Sequence, residues 1–269
     1  MKASVSIRAT ALGPDGAREV TRALPEEVPV AVTCNGTTQA VMMCTPADLE
    51  EFAVGFALTE GYATPDQIER VEILEAEAGI EARLWIAEEA AAELGARRRA
   101  MLGPVGCGLC GIESLEQALR VLPPVSARTT LTRAEAAGAL DALRGHQPLH
   151  DLTHAVHAAG LLMPGRGIVL AREDVGRHNA LDKLIGAALR AGIDPAAGAV
   201  VLTSRVSVEM VQKTVLAGAG LLIAASAPTA QALRLAEAAG LTVAAFARGA
   251  RVEVFTHSER LQGDQTDVA

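Results

Sequence analysis

Short apolar runs rich in β-formers, broken by turn residues, fill the first hundred positions. Residues 5–7 and 18–22 predict an exposed hairpin around Gly13-Pro14-Asp15-Gly16. Residues 28–33 and 38–43 predict a second one, joined by Cys34-Asn35-Gly36-Thr37, because an Asn-Gly step tolerates the positive φ angles that a tight hairpin turn needs. The spacing then becomes helical: Leu49, Phe52, Ala53, Phe56 and Leu58 follow Pro46-Ala47-Asp48, and Gly61 closes the segment. Residues 68–75 and 81–86 return to strands, so this part reads as α+β.

A further helix of about three turns is predicted from Ile112, Leu115, Ala118, Leu119 and Leu122. Pro123 and Pro124 end it and mark the predicted boundary between an N-terminal α+β domain (1–124) and a second domain (125–262), with a short tail (263–269). Beyond the boundary, residues 132–143 form a helix that Thr132 caps, with Glu135 completing a capping box. A histidine-bearing segment, 146–157, follows. Strands at 167–171, 199–203, 221–225 and 241–246 then alternate with helices at 180–190, 206–217 and 229–239, before a last short strand at 252–255. Apolar strands in strand–helix units predict an α/β fold with a largely parallel sheet covered by helices. In such sheets ligands lie at the carboxyl ends of the strands.

Composition narrows this picture. Half of the residues are hydrophobic but only 2% are aromatic, so the core is built from Ala, Val, Leu and Ile. The net charge of −8 argues against a non-specific nucleic-acid binder, while leaving room for a small anion held by local arginines. Arg8 interrupts the start and no apolar run follows, so no secretory signal is expected; the most apolar stretch, 215–230, contains glycines, Ser226 and Pro228 and is too short to span a bilayer. A soluble, cytoplasmic protein without a membrane partner is expected. Four cysteines in 269 residues make no disulfide framework, and in a reducing compartment a Cys-x-x-Cys is catalytic or metal-binding.

That motif is Gly106-Cys107-Gly108-Leu109-Cys110-Gly111, with Glu113 and Glu116 in the first two turns of the helix after it. A helix start lowers a thiol's pKa and raises its reactivity. Residue chemistry leaves four readings open. A thioredoxin-type dithiol would need a βαβ context that does not precede residue 107. Half a zinc site of deaminase type would need a histidine before the thiols, whereas all six histidines follow Cys107. A sulfur carrier would need one activated thiol on a glycine-rich loop and gain from a second. Two buried structural cysteines are the bland alternative, and that is the reading for Cys34 and Cys44.

Four polar clusters follow the strands of the second domain. They are Arg172-Glu173-Asp174-Val175-Gly176-Arg177-His178-Asn179, running on to Asp182 and Lys183; Thr203-Ser204-Arg205, with Ser207, Glu209, Gln212 and Lys213; Ser226-Ala227-Pro228-Thr229; and Phe246-Ala247-Arg248-Gly249-Ala250-Arg251. Hydroxyls, helix starts and arginines suit a ligand with several phosphates, although solvated turns and surface ion pairs use the same residues. His150, His154 and His157 have the spacing of one helix face, which suits zinc, but no Glu follows the first His as in His-Glu-x-x-His.

At these residues the chain resembles the formate dehydrogenase accessory sulfurtransferases, the FdhD family. The resemblance spans nearly the whole chain and is carried by Cys107-Gly108-Leu109-Cys110-Gly111, by residues 172–186 (REDVGRHNALDKLIG), by 203–213 (TSRVSVEMVQK), by 226–229 and by 246–257. It implies a C-terminal cytidine-deaminase-like three-layer α/β/α domain without the deaminase zinc ligands, behind a smaller α+β domain. It implies a sulfurtransferase that takes persulfide sulfur from a cysteine desulfurase. The sulfur goes to the Mo-bis(molybdopterin guanine dinucleotide) cofactor, in its molybdenum or tungsten form, that formate dehydrogenase needs. By position the persulfide cysteine falls on Cys107, with Cys110 its companion. The cofactor-binding segment falls on Phe246, Ala247, Arg248, Gly249, Ala250 and Arg251, with Arg172, Arg177 and His178 as further candidates; a homodimer is also implied. A non-catalytic chaperone for the cofactor or for formate dehydrogenase is the alternative. Where family members tend to carry Thr-Gly-Gly before a His-Ala-Ala, this chain has Thr153-His154-Ala155-Val156, which implies a backbone less free at that loop.

Overall fold

A computed structural model describes residues 1–101 and 121–263. The chain opens on a two-stranded ribbon, β1 (Ser4–Gly13) and β2 (Gly16–Pro25), longer than the predicted hairpin and turning on Pro14 and Asp15. The second hairpin, β3 (Val28–Cys34) and β4 (Thr37–Cys44), turns on Asn35 and Gly36, whose φ angles of 46° and 79° are both left-handed. After α1 (Leu49–Thr59) come β5 (Ile68–Ala76) and β6 (Gly79–Ile86), which complete a four-stranded sheet in the order β4-β3-β6-β5. One face of this sheet buries Val30, Val32, Ala82 and Leu84 against Phe52 and Phe56 of α1. Cys34 and Cys44 lie in the same core as small apolar residues, as expected. A helix that apolar spacing does not announce, α2 (Glu88–Met101), follows.

The second part holds six strands. They are β8 (His157–Met163), β9 (Gly167–Asp174), β10 (Ala199–Leu202), β11 (Leu221–Ala224), β12 (Thr242–Arg248) and β13 (Arg251–Thr256), in the order β13-β12-β11-β10-β8-β9. A short parallel pair, β7 (Leu131–Thr132) and β14 (Leu261–Gln262), stands apart. The expectation of a largely parallel sheet is corrected. Only β10-β11 and β11-β12 pair parallel, while β8 runs antiparallel to both β9 and β10, and β13 antiparallel to β12. The predicted strand–helix alternation omitted β8, whose antiparallel run makes the sheet mixed.

Helices cover both faces of this sheet, giving three layers. On one side α3 (Arg133–Arg144) packs Ala136, Ala139 and Leu143 on Ala158, Leu162, Val201 and Ile223. Its capping box forms as predicted: Glu135 N–H donates to Thr132 Oγ1 (3.1 Å), and Thr132 N–H donates to the Glu135 carboxylate (2.8 Å). On the other side lie α5 (Arg177–Arg190), α6 (Val208–Leu216) and α7 (Ala230–Ala239); Leu181, Leu184, Met210, Val211, Ala232 and Ala236 bury against Leu161, Val200, Leu222 and Val243. The remaining helix, α4 (Pro148–Thr153), precedes β8.

The two sheets are joined through α1 and α5, which meet backbone to backbone. A Cβ on Gly55 would sit 1.9 Å from the Asp182 carbonyl oxygen, and one on Gly186 would sit 1.8 Å from that of Glu51. Two buried ion pairs stitch the same seam. Lys183 pairs with Asp174 at 2.6 Å, both side chains fully buried, and also donates to Thr45 C=O. Lys213 donates to both Asp182 oxygens (3.0 Å each), to Thr59 Oγ1 (2.8 Å) and to Glu60 Oε1 (2.9 Å).

Candidate functional site

The direction of each strand decides where the polar clusters end up. The carboxyl ends of β9, β10, β11 and β12 share one edge of the six-stranded sheet, and antiparallel β8 begins there. His157 therefore sits opposite Asp174, and Thr203 N–H donates to Ala158 C=O (3.1 Å). The Thr203–Ser207 and Ser226–Thr229 loops touch through Val206, which exchanges backbone bonds with Ala227 and Thr229. All four predicted clusters thus share one rim.

Many of their side chains hold the fold rather than await a ligand. Arg172 makes a bidentate pair with Glu51 (Nε–Oε2 2.5 Å, Nη2–Oε1 2.7 Å), so its guanidinium fork is already engaged across the seam. Glu173 accepts the N–H groups of Leu149 and His150 at the start of α4. Asp174 takes Lys183, the Thr45 and Gly176 N–H groups and the Asn179 amide. Thr229 caps α7 through the Ala232 N–H. The partners Thr45, Glu51 and Thr59 lie more than a hundred residues away in sequence and were not foreseen.

The histidine face dissolves. The helix carrying His150 stops at Thr153 because His154 adopts φ 54°, ψ 22°, and His157 already belongs to β8. The left-handed turn expected of a glycine is thus made by a histidine. Among the described residues no group of His, Cys, Asp and Glu has the geometry of a metal site.

What remains open on the rim is cationic and aromatic. Phe246 lies within β12 at φ 52°, a left-handed conformation that costs free energy for a bulky residue. The β12–β13 ladder shifts register between Ala245 and Arg248, and this bulge turns Phe246 outward, 44% exposed, with its ring 6.2 Å from that of Phe255. Ala247 is buried. Arg248 and Arg251 face each other across the two-residue turn Gly249-Ala250, with Gly249 at φ 59° in the first central position. Both arginines are exposed, as is Arg205 on the neighbouring loop.

Arg177 and His178 begin α5, next to His157 and Glu209. Burial, then Arg177 and Lys213, push the His178 imidazole down to about 4, so it is neutral at pH 7. Burial, Arg177 and His150 also hold His157 below its usual range. Burial pushes the Glu209 carboxyl up, but the Ser207 hydroxyl, its own backbone N–H, His178 and Arg177 keep it below the usual carboxylate range.

Cys107 and Cys110, and the helix predicted after them, lie outside the described residues. The two described cysteines are inert by environment. Burial pushes Cys34 up to about 11, and burial with the Asp174 carboxylate raises Cys44 further.

Comparison with known proteins settles the kinship. The model of the FdhD/NarQ family matches residues 25–262. The chain belongs to this family. The sulfur carrier protein FdhD of Agrobacterium fabrum is 51% identical over 242 residues, covering 89% of each chain. That of Brucella abortus is 51% identical over 248 residues, covering 91% of this chain and 92% of its own. That of Bordetella petrii is 45% identical over 248 residues, covering 92% and 89%. Among solved structures, a candidate formate dehydrogenase accessory protein from Desulfotalea psychrophila superposes with a TM-score of 0.78 at 28% identity, covering 97% of this chain and all of that one. The mixed α/β architecture is therefore that of an FdhD relative. No described helix is long and apolar enough to cross a membrane.

Proposed function

We propose that this FdhD-family chain is a cytoplasmic sulfur carrier serving formate dehydrogenase, using Cys107 as the persulfide-bearing residue. Its C-terminal layers take the cytidine-deaminase-like role of presenting a ligand at a strand-end rim. The Cys107 thiolate attacks the outer sulfur of a cysteine desulfurase persulfide; the new S–S bond forms as the old one breaks, and the desulfurase thiolate leaves. No net oxidation occurs. In release, the Cys110 thiolate attacks the Cys107 sulfur and sulfide departs with the bonding electrons toward the cofactor. The resulting Cys107–Cys110 disulfide is returned to dithiol by a cellular thiol reductant.

The substrate that receives the sulfur, Mo-bis(molybdopterin guanine dinucleotide), is a polyanion with purine rings. The observation that supports the reading is the Phe246–Arg251 hairpin, where a strained residue aims an aromatic ring outward beside two free guanidinium groups. Arg248 and Arg251 would fork onto a diphosphate, and Phe246 would lie against a base. A chaperone that only shelters the cofactor would use the same arginines without the thiols. The two separate in a complementation assay. In cells lacking the native carrier, Cys107→Ala should leave formate dehydrogenase inactive while the variant still binds GDP. Full activation by Cys107→Ala would favour the chaperone.

A further inference from the structure

The opening ribbon has no core of its own. Strands β1 and β2 pair with each other over ten residues and with no other described strand. A two-stranded ribbon alone in water is at best marginally stable, because nothing covers its apolar side. This ribbon has such a side. Cross-strand partners share a face, so Val5, Ile7, Val20 and Leu24 line one face together with Arg18 and Arg22. The reverse carries Ser6, Arg8, Thr10, Thr21 and Glu19. The ribbon meets α4 through β2. That contact leaves Val5, Ile7 and Leu24 exposed, Ile7 by 45%.

The four-stranded sheet has a matching surplus. One side of it is the core under α1. Side chains alternate along a strand, and the opposite side presents Ala31, Val41, Met43, Leu74 and Trp85, none of which belongs to a core cluster. Val41 is 60% exposed and Met43 47%. The charges on this side are already paired, Arg70 with Glu72 and Arg83 with Glu81. The chain thus carries two uncovered apolar faces, both built of strands.

We propose that the ribbon is an exchange arm: its apolar face packs on the open face of the four-stranded sheet in a second copy of this chain, and the second copy's ribbon returns the contact. Two sheets with one apolar face each bury them by stacking, and a two-fold axis uses both arms and leaves none free. Charge favours this pairing over ribbon on ribbon. Residues 1–25 hold Lys2, Arg8, Arg18 and Arg22 against Asp15 and Glu19, a net +2 in a chain of −8, so the rest of the chain carries −10. Ribbon on ribbon would set Arg18 and Arg22 against their own copies; ribbon on body joins opposite charge. The size also suffices. Ten residues per strand make an arm about 33 Å long and about 10 Å wide, a footprint of about 330 Å². Two arms, counted on both partners, bury about 1,300 Å², within the range of specific interfaces. The arm precedes the family's matched segment, which begins at residue 25, so this pair of surfaces goes beyond the homodimer that the resemblance implies.

The test uses the full chain. Sedimentation velocity over a wide range of concentration gives the dimer Kd. Ile7→Glu on the arm and Val41→Glu on the seat should each raise it about a hundredfold, since a tenfold loss recurs at two symmetric contacts. Thr21→Glu, on the reverse of the ribbon, adds the same charge and should leave Kd unchanged. Ile7 and Val41 are exposed in the single chain, so circular dichroism should show each variant folded. Mixing Ile7→Cys with Val41→Cys, each in a Cys107→Ser/Cys110→Ser background, should give a cross-linked pair with a flexible bismaleimide. A wild-type chain that stays monomeric overturns the exchange, as does a Kd unmoved by Ile7→Glu or by Val41→Glu. Cross-linking of Ile7→Cys to itself puts ribbon on ribbon and also overturns it. A monomer that binds purified formate dehydrogenase, with binding lost in Ile7→Glu, overturns it in favour of that enzyme as the occupant.

Discussion

Replacing Lys213 by Met removes the cation that closes the α1–α5–α6 seam. In the native protein its ammonium meets four oxygens, from Asp182, Thr59 and Glu60, and lies 5.2 Å from the Phe56 ring. Asp182 is fully buried, and burial already pushes its carboxyl up to about 6 even with Lys213 opposing. Burial pushes the Lys213 ammonium down, yet Asp182 and Glu60 hold it above its ordinary value, so the pair is ionised at pH 7. Lys213→Met strands the Asp182 carboxylate with the Thr59 hydroxyl, 2.8 Å away, as its remaining short contact in the network. Breaking a buried pair from one side costs about 3–5 kcal/mol, against a total stability on the order of 5–15 kcal/mol. In a chain of this length that is a fall in Tm of about 6–20 °C. Asp182→Asn should cost less, about 2 kcal/mol, because Lys213 keeps Glu60, which reaches solvent. The double variant Asp182→Leu/Lys213→Met should recover most of the loss. Urea unfolding at pH 7 measures this, followed by circular dichroism and by fluorescence of Trp85, the single tryptophan, which lies in β6 of the other sheet. A loss below about 1 kcal/mol in Lys213→Met, or simple additivity in the double variant, would refute the argument.

Three further outcomes are expected. Gly186→Ala forces a methyl into the Glu51 backbone and should push α1 off α5, lowering Tm by at least as much as Lys213→Met; Gly138→Ala, with nothing within 4 Å, is the control and should be neutral or slightly stabilising. His178 is held below its ordinary 6.5, so the folded state favours the neutral ring; its contribution to stability is complete above about pH 6.5 and is lost as pH falls through about 4. His178→Gln should flatten the stability profile across that window, and an unchanged slope would contradict the assignment. In a Cys107→Ser/Cys110→Ser variant, a thiol reagent at pH 8 should label nothing until denaturant is added, since Cys34 and Cys44 are buried and held protonated; native labelling of either would contradict this.

Local chemistry was legible where it is self-contained. Asn35-Gly36 makes its turn with two neighbouring residues, and Thr132 with Glu135 makes a capping box within one turn. The helix Glu88–Met101 escaped because its core-facing side is short and alanine-rich, Ala90, Ala91 and Leu94, among strong helix formers that are mostly polar. Strand β8 escaped because Ala158, Ala159 and Gly160 have little β preference; its two antiparallel neighbours make it a strand. The strand-end rim was foreseen from polarity after each strand, but the division of labour on it was not. Arg172 and Arg177 look alike in sequence, and only Glu51, far earlier in the chain, tells the paired one from the one whose Nε is unmet.

The central claim is that a sulfur atom rides on Cys107. Incubating the reduced protein with a cysteine desulfurase and cysteine, then mapping peptides by mass spectrometry without reductant, tests it directly. The account predicts a gain of one sulfur atom on the peptide containing Cys107, absent in Cys107→Ala and absent from the peptides of Cys34 and Cys44. An unmodified Cys107 peptide, with the desulfurase active and turning over, would contradict it.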